Sequence, residues 1–253
     1  MLAIFHKSVA HPPAELNSPD SNLADKEPKN PDEILKDFHS THLENSFSAN
    51  FAQGASLACV PSERQITSRR ILFCSFDDVH CMFLGCVDNL SSLIKRYGLC
   101  QRDNEALLVI EAYRTLRDRA PYPADQVVKD LDGSFGFVVY DNKTSTVFCA
   151  KSSDGLVPVY WGIAADGSVV FSNELETLKG SCGKSFGTFP SGCMFHSESG
   201  LRSFEHPMNK MKPMPRVDSD GVMCGSNFNV DYFTRVNTMP RVGSAADWTV
   251  WEA

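Results

Sequence analysis

The sequence has no apolar run approaching the roughly 20 residues that a membrane-spanning helix needs, so no integral membrane span is expected. It has no surplus of basic residues. Lys and Arg number 24 against 31 Asp and Glu, a formal net charge of −7. Sequence-independent nucleic-acid binding needs clustered cations to displace counterions, so no nucleic-acid partner is expected. There is no CxxC pair, and the histidines do not lie at metal-ligand spacing from the nine scattered cysteines. Neither a metal nor another cofactor is therefore implied. The start, Met1-Leu-Ala-Ile-Phe-His-Lys, has five apolar residues and no basic residue before them, unlike a secretory signal. The odd cysteine count then reads as reduced thiols, and the expected location is the cytoplasm, with the nucleus as a second compartment.

What remains is ordinary globular composition: 253 residues, 42% hydrophobic and 22% charged. That length suits one domain of moderate size with extensions. Residues 1–9 read as an apolar strand ended by Pro12-Pro13. Residues 10–50 are poor in aliphatics and rich in Pro, Asn, Asp, Ser and Lys, which predicts a polar surface insertion with a short helix near Asp32–His39. Arg70–Phe76 and Val79–Gly85 flank Asp77-Asp78 as a hairpin. Leu90, Leu93 and Ile94 have helical spacing and precede Gly98, a C-cap. A second helix runs from about Asn104 to Arg119, capped by Asp103 or Asn104, and a short one spans Pro123–Leu131. From Gly133 the period changes to that of short strands at Phe135–Tyr140, Thr146–Ala150, Val157–Trp161 and Val169–Ser172. The domain is expected over 1–206, with 207–253 as a C-terminal extension or tail. There Trp248 and Trp251 either pin the tail or form a partner motif. The order of elements predicts an α+β fold.

Two resemblances rest on particular residues. Tyr97-Gly98-Leu99 and Leu116-Arg117-Asp118-Arg119 resemble the YGL and LRDR motifs of the plant aluminium-induced, stem-specific protein family. Asp88-Asn89-Leu90, Ala120–Pro123, Tyr160-Trp161-Gly162 and Leu201–Glu205 support them in order. Leu131–Asp141 is similar to the "LDGxFAFxxYD" strand of class-II glutamine amidotransferases, notably the N-terminal half of asparagine synthetase. Asp154–Gly162, Phe171–Leu178 and Phe189–Gly192 resemble its "xGxxPLYYG", "FASELKAL" and "FPPG" segments. The resemblance implies an N-terminal-nucleophile-hydrolase-like αββα architecture, with two stacked antiparallel sheets between helices.

The same resemblance implies a chemistry that this chain does not carry in full. The family uses a cysteine after the initiator methionine as nucleophile, with its α-amine as base. Leu2 stands there. An Asn side chain and the next Gly N–H form the family's oxyanion hole in "NGxxxN". The matching residues are Leu84, Gly85 and Asn89. Leucine offers no donor, and losing one such donor costs about 10²–10³ in rate. The family's ammonium-binding Asp corresponds to Asp103, which can equally cap the following helix. Cys86 is either a structural thiol or a displaced nucleophile. The LRDR arginines either complement the helix end and pair with acids or bind a ligand. No catalytic residue is therefore assigned. Leu2, Leu84, Gly85, Cys86, Asn89 and Asp103 form a vestigial pocket for a small amine-bearing ligand such as an amino acid, and a homodimer is the expected assembly. The expected function is a non-catalytic, stress- or metabolism-associated binding or regulatory module. A glutamine amidohydrolase with an unrecognised nucleophile and a scaffold acting through its tails are the alternatives.

Overall fold

The computed structural model describes residues 1–18, 27–42, 46–60, 70–100, 103–118, 124–217 and 221–236. Two six-stranded antiparallel sheets stack face to face. The first runs β10 (Phe186–Thr188), β8 (Tyr160–Ile163), β9 (Val169–Ser172), β1 (Leu2–Phe5), β3 (Ala55–Cys59), β2 (Phe47–Phe51). The second runs β12 (Gly200–Ser203), β11 (Cys193–His196), β7 (Thr146–Lys151), β6 (Phe135–Asp141), β5 (Val79–Gly85), β4 (Ile71–Phe76).

Alternation along the strands separates three cores. Met1, Ala3 and Phe5 pack between the sheets with Leu57, Leu84, Val138, Cys149 and Trp161. Leu2 and Ile4 point the other way, against Ile34 and Phe38 of α1 (Pro31–Thr41) and Leu178 of α5 (Leu175–Ser181). On the outer face of the second sheet, Cys81, Phe83 and Phe137 meet α2 (Leu90–Tyr97), α3 (Glu105–Asp118) and α4 (Ala124–Lys129) through Leu93, Leu108 and Val128. The layers are therefore helix, sheet, sheet, helix, as the resemblance implies. The opening strand lies inside its sheet, between β9 and β3. Strand β8 starts at Tyr160 rather than Val157.

Two expectations need correction. The stretch 10–50 is not simply a surface insertion: α1 buries Ile34 and Phe38, Ala10 and Leu16 enter the inter-sheet core, and residues 47–51 form edge strand β2. Its few apolar residues suffice because Ile34 and Phe38 are four apart and share one helix face. Of the C-terminal extension or tail expected over 207–253, the tail alternative fails for the described residues 207–217 and 221–236. Asn209–Val217 (β13) and Met223–Arg235 (β14) pair as a hairpin. Phe228 of β14 enters the inter-sheet core, 5.6 Å from the Trp161 ring and edge-on to it. Arg216 donates to the Phe186 carbonyl at 3.0 Å and covers that ring. Trp248 and Trp251 lie outside the described residues.

The YGL motif is a helix stop. Gly98 adopts φ 69°, its N–H donates to Lys95 O at 3.3 Å, and Leu99 N–H donates to Ile94 O at 2.9 Å. That bond pair is the Schellman arrangement, which satisfies carbonyls left open at a helix end.

Candidate functional site

The two sheets carry the candidate residues at Leu2 in one and Leu84–Gly85 in the other. Leu2 lies opposite Ser172 on β9 and Ala58 on β3. Its side chain is fully buried against α1 and α5, away from the inter-sheet space. The α-amino group of Met1 donates to Asn173 Oδ1 at 2.6 Å. Burial pushes this amine down to about 6, while Glu174 and Cys59 oppose the shift. Asn173 and Glu174 belong to the stretch resembling "FASELKAL", so that segment holds the chain start in place.

Leu84 points into the inter-sheet core and is about 1% exposed. Gly85 has φ 103°, and a Cβ there would stand 2.1 Å from the Ser134 carbonyl oxygen. No other residue fits without moving that backbone. The Gly85 N–H donates to the Arg70 carbonyl at 3.1 Å. The one backbone donor that the family pattern retains is therefore used inside the fold. The neighbouring Cys86 N–H donates to Ser134 O at 2.9 Å, and its thiol is half-buried.

Asn89 is also engaged. Its Nδ2 donates to Asp130 O at 2.8 Å, and its Oδ1 accepts from the Asp132 N–H at 3.1 Å. It fastens the start of α2 to the loop leading into β6. Asp103 accepts from the Cys100 N–H at 2.7 Å. The helix cap is its neighbour: Asn104 Oδ1 accepts from the Leu107 N–H at 3.0 Å. Of the two capping residues allowed by the sequence, the structure selects Asn104. Gly85, Cys86 and Asn89 are thus brought together along one turn, while Leu2 and Leu84 face different cores.

Sequence reading missed a polar knot beside this turn. Asp154 accepts from the hydroxyls of Ser134 and, at 2.6 Å, Ser152, and from the Leu156 N–H at 3.2 Å. Burial raises its carboxyl, but these donors hold it below the usual carboxylate range. Beside it, buried Lys151 donates to Phe189 O at 3.4 Å. Asp154 opens the segment resembling "xGxxPLYYG", but nothing in the sequence marked its hydroxyl partners. Two cavities lie apart from the six candidate residues. One, of about 550 Å³, is lined by Thr188, Phe189, Glu205, Asn227 and Tyr232. The other, of about 330 Å³, lies between α1 and α5 beside His42 and Glu174. Among the described residues, no three His, Cys, Asp or Glu side chains gather to hold a metal ion, and no helix is long and apolar enough to cross a membrane.

A family model described as aluminium induced protein matches residues 2–230, from β1 into β14. The chain belongs to the aluminium-induced protein family. The match reaches Val230, so much of the β13–β14 hairpin is part of what defines an aluminium-induced protein. The stem-specific protein TSJT1 of Nicotiana tabacum is 40% identical over 151 residues, covering 60% of this chain and 100% of that protein. An asparagine synthetase of Zea mays, named as glutamine-hydrolyzing, is 38% identical over 115 residues, covering 45% of this chain. The chain spans only 20% of that enzyme's length. The glutamine PRPP amidotransferase of B. subtilis, solved with ADP and GMP, superposes with a TM-score of 0.51 at 12% identity over 83% of this chain and 50% of that one. At that identity the likeness shows the fold: this aluminium-induced protein has a class-II glutamine-amidotransferase-like, N-terminal-nucleophile-hydrolase architecture.

Proposed function

We propose that this aluminium-induced protein keeps the amidotransferase fold without hydrolysing glutamine and serves as a binding or regulatory module in plant stress or metabolism. The observation that carries the reading is the state of the oxyanion position. Leu84 supplies no donor, and the Gly85 N–H is taken by Arg70 O at 3.1 Å. Acyl transfer needs preorganised donors aimed at the developing oxyanion, and Leu2 in the nucleophile's place adds a second loss. The ligand that this reading names is amine-bearing, an amino acid being the simplest case, with Asp103 as the carboxylate to meet it.

The test is ammonia release from glutamine by the purified full chain, run beside a melting-temperature screen over amino acids. The expected result is no ammonia above the buffer rate and a raised melting temperature with at least one amino acid, since a ligand that prefers the native state stabilises it. Glutaminase activity that follows the protein peak would overturn the non-catalytic reading. An amino-acid effect unchanged in Asp103→Asn would remove Asp103 from it.

A further inference from the structure

Cys74 on edge strand β4 and Cys81 on β5 occupy directly opposite positions in the register. Among the described residues they are the only register-paired cysteines. Both side chains lie on the helix-covered face of the second sheet: Cys81 is in its core and Cys74 packs against that core. The turn between the strands fixes this pairing. Asp77 and Asp78 have φ 51° and 60°, the two left-handed residues of a two-residue hairpin loop whose twist matches its strands. Phe76 and Val79 close that loop. Counting by two from them puts Cys74 and Cys81 at a hydrogen-bonded pair, where Cα atoms stand about 5.5 Å apart. A disulfide spans Cα separations of about 4.4–6.8 Å.

We infer that Cys74 and Cys81 form a reversible dithiol–disulfide site, oxidised by peroxides and reopened by small thiols. Cys74 is half-buried and Cys81 fully buried, so the peroxide meets Cys74 first. The Cys74 sulfur attacks one peroxide oxygen, the O–O bond breaks, and a sulfenic acid and a water or alcohol result. The Cys81 sulfur then attacks the Cys74 sulfur. The S–S bond forms, the S–O bond breaks, and the departing oxygen leaves as water with the Cys81 proton. Two thiols are oxidised by two electrons and one peroxide is reduced.

The resting state is the dithiol. Burial raises the Cys74 thiol, and the Asp103 carboxylate raises it further against the opposing Ser75 N–H. Burial likewise raises Cys81 well above its usual value. Few thiolates are then present at neutral pH, which makes the site slow and confines it to sustained oxidant. Opposite Cβ atoms stand about 4.5–5.5 Å apart in a sheet, whereas a disulfide wants about 3.8 Å. Closing the bond therefore pulls β4 toward β5. A bond formed under such strain is the kind that small thiols reduce. The same hairpin carries the Gly85 N–H to Arg70 O bond at its other end.

The test is a hydrogen peroxide titration of the full chain followed by peptide mapping. The expected products are a Cys74–Cys81 cross-linked peptide pair lacking two hydrogens, restored by reduced glutathione, and a Cys74 sulfenic acid trappable by a dione probe in Cys81→Ser. A wild-type map with no Cys74–Cys81 link at a peroxide dose that oxidises the exposed Cys100 would overturn the inference. So would a link that glutathione fails to reopen. The wild-type map decides the matter even if a variant fails to fold.

Discussion

Arg117 on α3 donates from Nη1 to Oδ2 of Asp141, across 2.8 Å, at the end of β6. Asp141 is wholly buried, and its other oxygen accepts from the Lys143 N–H at 3.0 Å and the Thr144 N–H at 3.4 Å. Tyr113 OH reaches the same carboxylate at 3.3 Å. The bond joins the two stretches that the sequence offered separately: Arg117 comes from LRDR, and Asp141 ends the segment resembling "LDGxFAFxxYD". Part of the LRDR motif is therefore structural, clamping the long helix to the central strand of the second sheet.

Arg117→Met should show what the clamp is worth. Removing one partner of a buried pair leaves a charge uncompensated and costs about 3–5 kcal/mol. Arg117 is 21% exposed, which lets water reach the site and places the expected loss near the low end, about 3 kcal/mol. The measurement is the urea midpoint, with Arg117→Met/Asp141→Asn recovering part of the loss. An unchanged midpoint in the single variant would show that water replaces the guanidinium without cost.

Acid unfolding should fall into two windows. Burial pushes Asp141 and Asp154 up, but their hydrogen-bond donors win and hold both below the usual carboxylate value. Groups so lowered contribute stability that is present above the unfolded pKa of about 4 and is lost as pH falls through the folded value. His80 and His196 are held below their usual value mainly by burial. Their unfolded forms charge as pH falls below about 6.5, and the unfolded Met1 amine, whose folded value burial lowers to about 6, charges already below about 8, so the upper decline runs downward from about pH 8. Urea midpoints between pH 8 and 3 should show both declines, and Arg117→Met should flatten only the lower one. A single decline confined to one window would contradict the assignment.

The sheets, the helices on the second sheet and the hairpin at Asp77-Asp78 were legible because their apolar residues recur at the period of the element. Two segments escaped that reading. Residues 10–50 carry few apolar residues, and in 207–236 Pro, Asn and charged residues interrupt the apolar ones, yet Leu16, Ile34, Phe38 and Phe228 are each buried at 5% exposure or less. The site was half legible. Leu2 and Leu84 could be placed by resemblance, but the loss of the Gly85 donor depends on a backbone carbonyl at Arg70, which no side-chain pattern reveals. The Arg117–Asp141 bond was invisible for a similar reason: both motifs could be seen, but not that tertiary packing joins them.

The status of 10–50 can be tested at α1. Phe38→Ala removes a ring packed beneath the first sheet, and such truncations cost about 3–5 kcal/mol. Lys36→Ala, exposed on the same helix, should stay within about 0.5 kcal/mol of wild type. Equal effects from the two would return the segment to the surface.

Gly98→Ala addresses the YGL motif. Nothing lies within 4 Å of a Cβ built there, so the cost is backbone conformation alone. Holding an L-residue at φ 69° is worth about 1–2 kcal/mol. Differential scanning calorimetry should show a lower melting temperature with no change of fold. Asn, which tolerates the left-handed region better, should lose less than Ala. An Ala variant as stable as wild type would mean that the helix end can rearrange around the new residue.

On the non-catalytic reading proposed above, glutaminase chemistry should need more than the family's two absent side chains. In a Leu2→Cys chain produced without its initiator methionine, thiol and free α-amine stand on one residue, as nucleophile and base require. Adding Leu84→Asn supplies an amide donor, and one oxyanion donor is worth about 10²–10³ in rate. The Gly85 N–H, however, remains committed to Arg70 O at 3.1 Å. Leu84 also points into an apolar core, where an unpaired Asn costs about 1–3 kcal/mol of stability. The double variant should therefore release ammonia from glutamine less than about 10²-fold faster than the single variant, and it should melt lower. A gain at or above about 10²-fold would mean that the oxyanion position is preorganised in solution and that the Arg70 bond does not limit it. A single variant already matching the double would place an unassigned donor at the oxyanion position and remove Leu84 from the case for the non-catalytic reading.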